Sequence, residues 1–262
     1  MKTTDTSFAT KYLGWISITR VLMFMLFSWL IGSQTAVWAG PPFVTDDPEP
    51  VEFRHAEFYV ASVYSHDADG IAGTAPHFEA NYGALKETQV HLIVPLAYSR
   101  PNDGTTQYGL GDVELGVKYR FLGETSVRPQ VGTFPLIELP TGDSSRGLGE
   151  HNTRAFFPLW LQKSWGPWTT YGGGGYWYNP GAGKENHWFT GWVLQRQLSD
   201  QLSLGAELFR DTKNTTGGSE RTAFNVGAIF NFTEQHHFLF SAGTDIHGTN
   251  LLSIYNAYLL TF

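Results

Sequence analysis

Alternation of apolar and polar residues at a period of two constrains the fold of this chain more than any other feature. In residues 112–121 every second side chain is apolar: Val113, Leu115, Val117, Tyr119 and Phe121. The positions between them carry charged residues and one glycine. Side chains of a β-strand point alternately to opposite faces, so this segment is predicted to be a strand with one apolar and one charged face. The same period recurs in residues 88–98, 222–232 and 250–262. The chain is therefore predicted to be all-β.

The connections between the predicted strands alternate between short and long along the chain. Short connections include 84–87, 165–167 and 199–201, and the long ones, rich in Gly, Asp, Asn and Thr, include 65–75, 99–106, 140–152 and 179–186. Outer-membrane barrels have short periplasmic turns and long outer loops, whereas a soluble sandwich has no reason to sort loop length by strand parity. Residues 51–262 are predicted to form a transmembrane antiparallel up-and-down β-barrel of about 12 strands.

Composition supports a barrel and excludes several other classes of protein. Charged residues are 16%, aromatic residues 15%, and there are no cysteines. The mean hydropathy of −0.20 excludes a bundle of transmembrane helices, while barrel strands need an apolar residue only at every second position. Without cysteine there is no disulfide or thiolate metal site. The net charge of −7 argues against nucleic acid as a partner.

The first 39 residues have the three-part pattern of a secretory signal peptide. Lys2, Lys11 and Arg20 precede an apolar run at 21–31, and small residues suited to cleavage end at Ala39. A single membrane anchor is the alternative, but the apolar run is short for a span of about 20 residues. The mature chain is therefore predicted to reach the bacterial outer membrane.

Residues 40–50 contain four prolines and no strand pattern. They are predicted to be a periplasmic lead-in segment or, alternatively, a segment tucked into the mouth of the barrel. Four consecutive glycines at 172–175 also leave two interpretations open: room inside the barrel for a molecule or for the lead-in, or a bend of the wall.

If the apolar faces contact lipid, the polar faces line the lumen. The candidate lumen-lining residues are Glu79, His91, Glu114, Lys118, Arg120, Glu138, Arg154, Gln162 and Glu207. A base facing lipid at mid-membrane costs roughly 2–4 kcal/mol, which favours inward positions for the lysine and arginines. These residues form either a polar track that selects solutes or a structural network of paired charges. Within the track, Glu114, Arg120 and Arg154 are the preferred functional subset.

The nine histidines are not spaced as metal ligands, since no His-x-x-x-His pair or carboxylate completes a compact set. No metal and no cofactor is expected. The chain ends in an alternating strand closed by Phe262, which resembles the signal that the outer-membrane assembly machinery recognises. That machinery and outer-membrane lipid are the expected partners, together with a small-molecule ligand.

Several stretches resemble the family of outer-membrane proteins named after the meta-cleavage pathway of phenol degradation. They are 42–48 (PFVTDDP), 109–121 (GLGDVELGVKYRF), 138–142 (ELPTG), 161–166 (LQKSWG) and 191–209. The resemblance spans most of the mature chain and implies a barrel labelled as a transporter, by analogy with hydrocarbon and aromatic uptake. It implies no catalytic or binding residues.

The predicted function is a channel or transporter for small molecules, including hydrophobic or aromatic ones. The alternatives are an outer-membrane phospholipase-like hydrolase and a structural barrel without transport. A hydrolase would need a Ser and a His side by side on the lipid-facing wall, and His77, His91 and His187 fall on polar faces instead. The chain is therefore not expected to be an enzyme.

Overall fold

The computed structural model describes residues 41–262, which form a single closed antiparallel sheet. The strand segments are β1 (Ala56–His66), β2 (Gly70–Leu85), β3 (Thr88–Pro101), β4 (Gln107–Leu110), β5 (Val113–Leu122), β6 (Gln130–Thr133), β7 (Leu136–Leu139), β8 (Arg154–Trp165), β9 (Trp168–Tyr178), β10 (His187–Ser199), β11 (Leu202–Asp211), β12 (Arg221–Asn231), β13 (His236–His247) and β14 (Leu252–Thr261). One turn of 3₁₀ helix, Ser144–Arg146, lies in a loop.

These segments make twelve wall positions, because β4 and β5 share one and β6 and β7 share another. β3 pairs with both β4 and β5, and β8 pairs with both β6 and β7. The ring closes where β1 pairs with β14, from Glu57 opposite Thr261 to His66 opposite Leu252. The predicted fold, an all-β antiparallel barrel of about 12 strands, is confirmed.

The two ends of the barrel differ in their connections. Turns at 86–87, 166–167 and 200–201 lie at one end, here called the short-turn end, and the loops at 140–153, 179–186 and 212–220 lie at the long-loop end. Two predicted connections are wrong. The predicted long loop 65–75 is a turn at 67–69, since residues 71–74 continue β2 in register with 63–66; their Gly, Ala and Thr composition had indicated a loop. The second is a short connection predicted at 122–125, between two alternating stretches; the connection instead spans 123–129.

Residues 126–139 show a weaker alternation that predicts one strand, but the structure splits this stretch into β6 and β7 at Phe134-Pro135. Register is the same on both sides, with Gly132 opposite Trp160 and Leu136 opposite Phe156. Proline has no backbone N–H to give to a ladder, and Pro158 lies in the facing stretch of β8. The Thr133 hydroxyl donates to the Pro158 carbonyl at 2.6 Å, so a side chain bridges the gap.

The outer and inner faces of the wall differ sharply in polarity. The outer face exposes large apolar side chains on nearly every strand, among them Phe58, Val90, Leu115, Val117, Tyr119, Phe157, Leu159, Trp192, Leu194, Leu208, Val226 and Tyr258. The alternate positions face inward and carry most of the buried polar residues, including Gln89, Gln130, Gln195, Asn225 and Ser241. Residues 41–262 contain no helix long and apolar enough to cross a membrane.

Leu194 tests whether the outer face contacts lipid, because its side chain is 44% exposed near the middle of β10. Leu194→Arg is expected to lower the free energy of unfolding from lipid vesicles by about 2–4 kcal/mol. Leu198→Arg, near the short-turn end of the same strand, is the matched control and should cost only about 0–1 kcal/mol. Equal effects of the two substitutions in urea titrations would contradict a bilayer around the outer face.

Candidate functional site

The lumen is crossed by residues 42–51, here called the inner segment. The chain preceding β1 lies at the short-turn end, where the Arg54 N–H donates to the Gly83 carbonyl at 2.8 Å. From there the inner segment extends into the lumen until the Pro42 carbonyl accepts a hydrogen bond of 2.5 Å from Ser241, near the middle of β13. The sequence left two placements open for residues 40–50. Residues 42–50 contact inward-facing side chains of the wall, so this part of the chain lies inside the barrel.

Glycines on the inner face of the wall make room for the inner segment. A Cβ placed on Gly205 or Gly227 would meet the Phe43 ring at 2.8 or 3.0 Å. A Cβ on Gly132 would lie 2.9 Å from Pro48, and one on Gly191 would clash with the Thr45 hydroxyl. Separations below 3.0 Å are shorter than packed carbon atoms tolerate, so the wall is shaped to this segment.

Glu207 of β11 holds the far end of the inner segment. Its carboxylate accepts the backbone N–H groups of Val44 and Thr45 at 3.2 and 2.5 Å. The Asn225 side-chain amide donates to the same carboxylate at 2.6 Å. Thr45 is fully buried by these contacts, and hydrogen bonds to a charged acceptor are among the stronger ones in proteins.

Lys118 and Arg120 of β5 hold the acidic part of the inner segment. The Lys118 ammonium lies 2.8 Å from Asp46 and 3.5 Å from Asp47. The Arg120 guanidinium donates to Glu49 Oε1 at 3.1 Å and also contacts Glu87 in a short turn.

Two glutamine side chains complete the binding of Glu49. Gln130 and Gln162 donate to Glu49 Oε2 at 2.8 and 3.1 Å. Both oxygens of this carboxylate therefore receive hydrogen bonds from the wall. Nearer the short-turn end, the Val51 N–H donates to Gln89 at 2.9 Å.

One side of the lumen carries a network of acidic and histidine side chains. His91 Nε2 lies 3.0 Å from Glu114, and His91 Nδ1 lies 2.6 Å from the Asn81 amide oxygen. The Asn81 amide donates to Glu79 at 2.9 Å and to Glu57 at 3.4 Å. This network is continuous across β1, β2, β3 and β5.

An aromatic part of the lumen adjoins this network, where the Phe134 ring lies 5.1 Å from the His91 ring. Phe134, Phe156, Trp160, Phe189 and Phe209 form one buried cluster with Ala223. Trp177 stacks on Phe156 at 4.8 Å between ring centroids, and the Arg154 guanidinium lies 5.2 Å over the Trp177 ring.

The four glycines of β9 serve this aromatic packing. On the inner face, a Cβ at Gly175 would clash with the Phe156 ring, and one at Gly173 would crowd Trp160. On the outer face Gly172 lies beneath Trp192. The space that these glycines leave is filled by side chains of the neighbouring strands.

The loop 140–153 folds over the long-loop end. Leu148 is buried against the inner side of Gly109, and the Asp112 carboxylate accepts the N–H groups of Gly142 and Glu150 at 2.9 and 2.6 Å. Glu150 also pairs with Lys184 of the next loop at 2.7 Å. In the same loop, hydrogen bonds from Ser145 lower the pKa of the Asp143 carboxyl.

The structure places all nine sequence-predicted lumen residues on inward faces, but it groups them differently from the preferred subset. They are Glu79, His91, Glu114, Lys118, Arg120, Glu138, Arg154, Gln162 and Glu207. Glu114 bonds His91, Arg154 bonds Glu138, and Arg120 bonds Glu49 and Glu87. Among residues 41–262, no group of three or more His, Asp or Glu residues is arranged to hold a metal ion.

Sequence reasoning did not identify the acidic side chains of the inner segment as partners of the basic residues in the lumen. Asp46, Asp47 and Glu49 are the partners of the lumen bases. A signal was present: a short acidic run without strand pattern precedes a barrel whose β5 carries two inward bases.

Comparisons with known proteins agree with this architecture. Residues 65–261 match the model of the family described as "Putative MetA-pathway of phenol degradation". No curated protein matches the chain.

Three solved structures illustrate the likeness. An outer membrane channel from Pseudomonas putida F1 superposes with a TM-score of 0.64 at 16% identity, over 86% of this chain and 100% of that one. The KdgM porin in complex with oligogalacturonate gives 0.53 at 11%, over 78% and 99%. The translocator domain of the autotransporter NalP from Neisseria meningitidis gives 0.50 at 10%, over 79% and 87%. At these identities the likeness establishes a shared fold.

Proposed function

We propose that this chain, which belongs to the family of the MetA pathway of phenol degradation, is an outer-membrane channel for small molecules whose lumen is narrowed by its own inner segment. The observation that carries the proposal is a polar, charged lumen enclosed by a wall with an apolar outer face. A barrel that only anchored itself in lipid would have no need of so many buried polar groups, each costly unless hydrogen-bonded.

The inner segment does not fill the lumen completely. Val44 lies between residues bound to the wall, yet its side chain is 54% exposed. The acidic network and the aromatic cluster both line the lumen, so small polar and aromatic molecules both find complementary surfaces. Residues 1–39, the predicted signal peptide, lie outside the described part of the chain, and export through them is part of the proposal.

Single-channel conductance of the refolded mature protein in planar bilayers tests the proposal. Heat-modifiable gel mobility shows first that the barrel has folded. Small, stable ion steps are the expected result. A folded barrel without steps, both with and without the inner segment, would instead favour a structural role.

A phospholipase-like hydrolase would require a Ser and a His side by side on the apolar outer wall. A Ser–His contact is present between Ser144 and His151 at 2.9 Å, but it lies in the exposed loop 140–153 and not on the apolar outer wall. Absence of phospholipid hydrolysis by the refolded protein is therefore the expected result, and hydrolysis lost in Ser144→Ala would contradict it.

The C-terminal Phe262 is proposed to contact the outer-membrane assembly machinery. Its backbone exchanges two hydrogen bonds with Ala56, while its side chain is 60% exposed on the outside. Phe262→Ala should therefore leave the unfolding midpoint of the purified barrel nearly unchanged but lower the amount assembled in cells severalfold. Phe232→Ala, with an equally exposed ring at the same end (62%), is the control. Equal losses from both would contradict a specific role for Phe262.

A further inference from the structure

We propose that the acidic side chains of the inner segment occupy a binding site for a small organic dicarboxylate, and that such a solute displaces the segment. The inference rests on the proposed channel function and names a solute class for it. The site is formed by Lys118, Arg120, Gln130 and Gln162, and the inner segment acts as a built-in competitor.

The position of Glu49 is a complete carboxylate site provided by the wall. Arg120 donates to one oxygen at 3.1 Å, and Gln130 and Gln162 donate to the other at 2.8 and 3.1 Å. These donors come from three different wall positions, and Arg120 is also held by the Gln130 amide oxygen at 2.9 Å and by Glu87, so the segment is not its only partner. A guanidinium with flanking amides is well suited to a planar carboxylate.

Lys118 provides a second anion position. Its side chain is 6% exposed, and its ammonium contacts Asp46 at 2.8 Å and Asp47 at 3.5 Å. When the inner segment leaves, the ammonium loses both counter-charges beside the Arg120 guanidinium, and two neighbouring positive charges favour an anion from solution.

The spacing of the two positions selects a dicarboxylate. Lys118 and Arg120 are two residues apart on the same face of β5, which corresponds to roughly 6–7 Å along the strand. A flexible dicarboxylate such as adipate spans a distance of this order, whereas a monocarboxylate satisfies only one position.

Unsatisfied polar atoms at the contact between the inner segment and the wall favour its displacement. The Thr45 Oγ1 atom of the segment and the Oε1 atom of Gln162, whose amide donates to Glu49, are buried without a hydrogen-bond partner among the described residues. Each such atom costs free energy while it is covered. An occupant with its own hydrogen-bonding groups, or water entering with it, would satisfy them.

A thiol at position 45 reports on displacement. The chain has no cysteine and Thr45 is fully buried, so Thr45→Cys introduces a unique thiol that reacts slowly with a maleimide while the segment is bound. In vesicles containing the mature protein, adipate is expected to accelerate labelling severalfold. Adipamide, which is neutral and similar in shape, is expected to leave the rate unchanged.

Wall variants in the Thr45→Cys background assign the effect to the site. Arg120→Gln and Lys118→Gln will raise basal labelling, since they weaken the hold on the segment, but adipate should then add nothing. Lys163→Gln is the matched control, because Lys163 pairs with Glu124 at 2.7 Å outside the lumen, and it should respond as the parent does. An equal response of Arg120→Gln and Lys163→Gln would overturn the assignment.

A variant of the inner segment provides a test that does not depend on correct folding of the wall variants. Combined Asp46→Asn, Asp47→Asn and Glu49→Gln removes the competitor and leaves the site intact. Adipate should then bind with a Kd lowered by about tenfold or more, as expected when a charged competitor loses its hydrogen bonds.

The remaining outcomes separate this inference from the proposed function. If the wild type conducts ions but adipate and adipamide affect labelling equally, the dicarboxylate site is refuted and the channel stands. An unchanged Kd in the segment variant refutes competition. Adipate binding without conductance refutes the channel alone.

Discussion

Deletion of the inner segment, residues 42–51, is expected to raise the single-channel conductance severalfold. The deleted residues occupy the lumen and bind walls on both sides of it, from Ser241 to Gln89. Their removal widens the path through the lumen. It also takes away three carboxylates and exposes Lys118 and Arg120, so reversal potentials should shift toward anion preference.

Addition of the free peptide 42–51 is the control for that deletion. Since the segment enters from the short-turn end, the peptide should restore the lower conductance from one compartment and not from the other. Unchanged conductance in a deletion variant that still shows heat-modifiable mobility would contradict occlusion of the lumen by the segment.

Glu207→Gln is expected to release the far end of the inner segment. The carboxylate accepts two backbone N–H groups and the Asn225 amide, and an amide in its place offers one uncharged acceptor. Hydrogen bonds to charged groups contribute about 1.5–3 kcal/mol each, so loss of one raises the displaced fraction by roughly 10- to 100-fold. Long high-conductance openings in single-channel records are the measurement.

Glu220→Gln is the matched control for Glu207→Gln, because Glu220 lies in the loop 212–220 and forms an exposed ion pair with Arg210 of β11. It should leave the openings unchanged. If Glu207→Gln gave no additional openings, the far end of the segment would have to be held by Ser241 and by packing against the wall glycines, and Gly205→Leu would then test the packing.

The sequence predicts the barrel well because alternation of apolar and polar residues can be recognised within each strand, without knowledge of distant contacts. In β5, alternation alone places Lys118 and Arg120 inside and Val117 and Tyr119 outside, and the structure agrees. The errors lie where composition and conformation diverge. Small residues at 71–75 extend β2 although they read as a loop, and Pro135 interrupts a strand whose register continues on both sides.

The contacts inside the lumen are not local, and alternation does not specify them. Nothing at the level of sequence spacing pairs Glu207 with Thr45, 162 residues away. Which partner an inward residue contacts depends on the diameter of the barrel and on the path of a segment that has no regular secondary structure. For that reason the inward set was predictable, whereas the grouping of Arg120 with Glu49 rather than with Glu114 was not.

The inward glycines of the wall also bear on how such a chain can vary. Gly205 and Gly227 face the Phe43 ring, and Gly132 faces Pro48, so the inner surface of the wall is complementary in shape to the ten residues of the inner segment. A larger side chain at position 205 or 227 would require a smaller one at position 43. In homologous barrels, positions 43, 205 and 227 should therefore co-vary as one unit, although they are far apart in the chain.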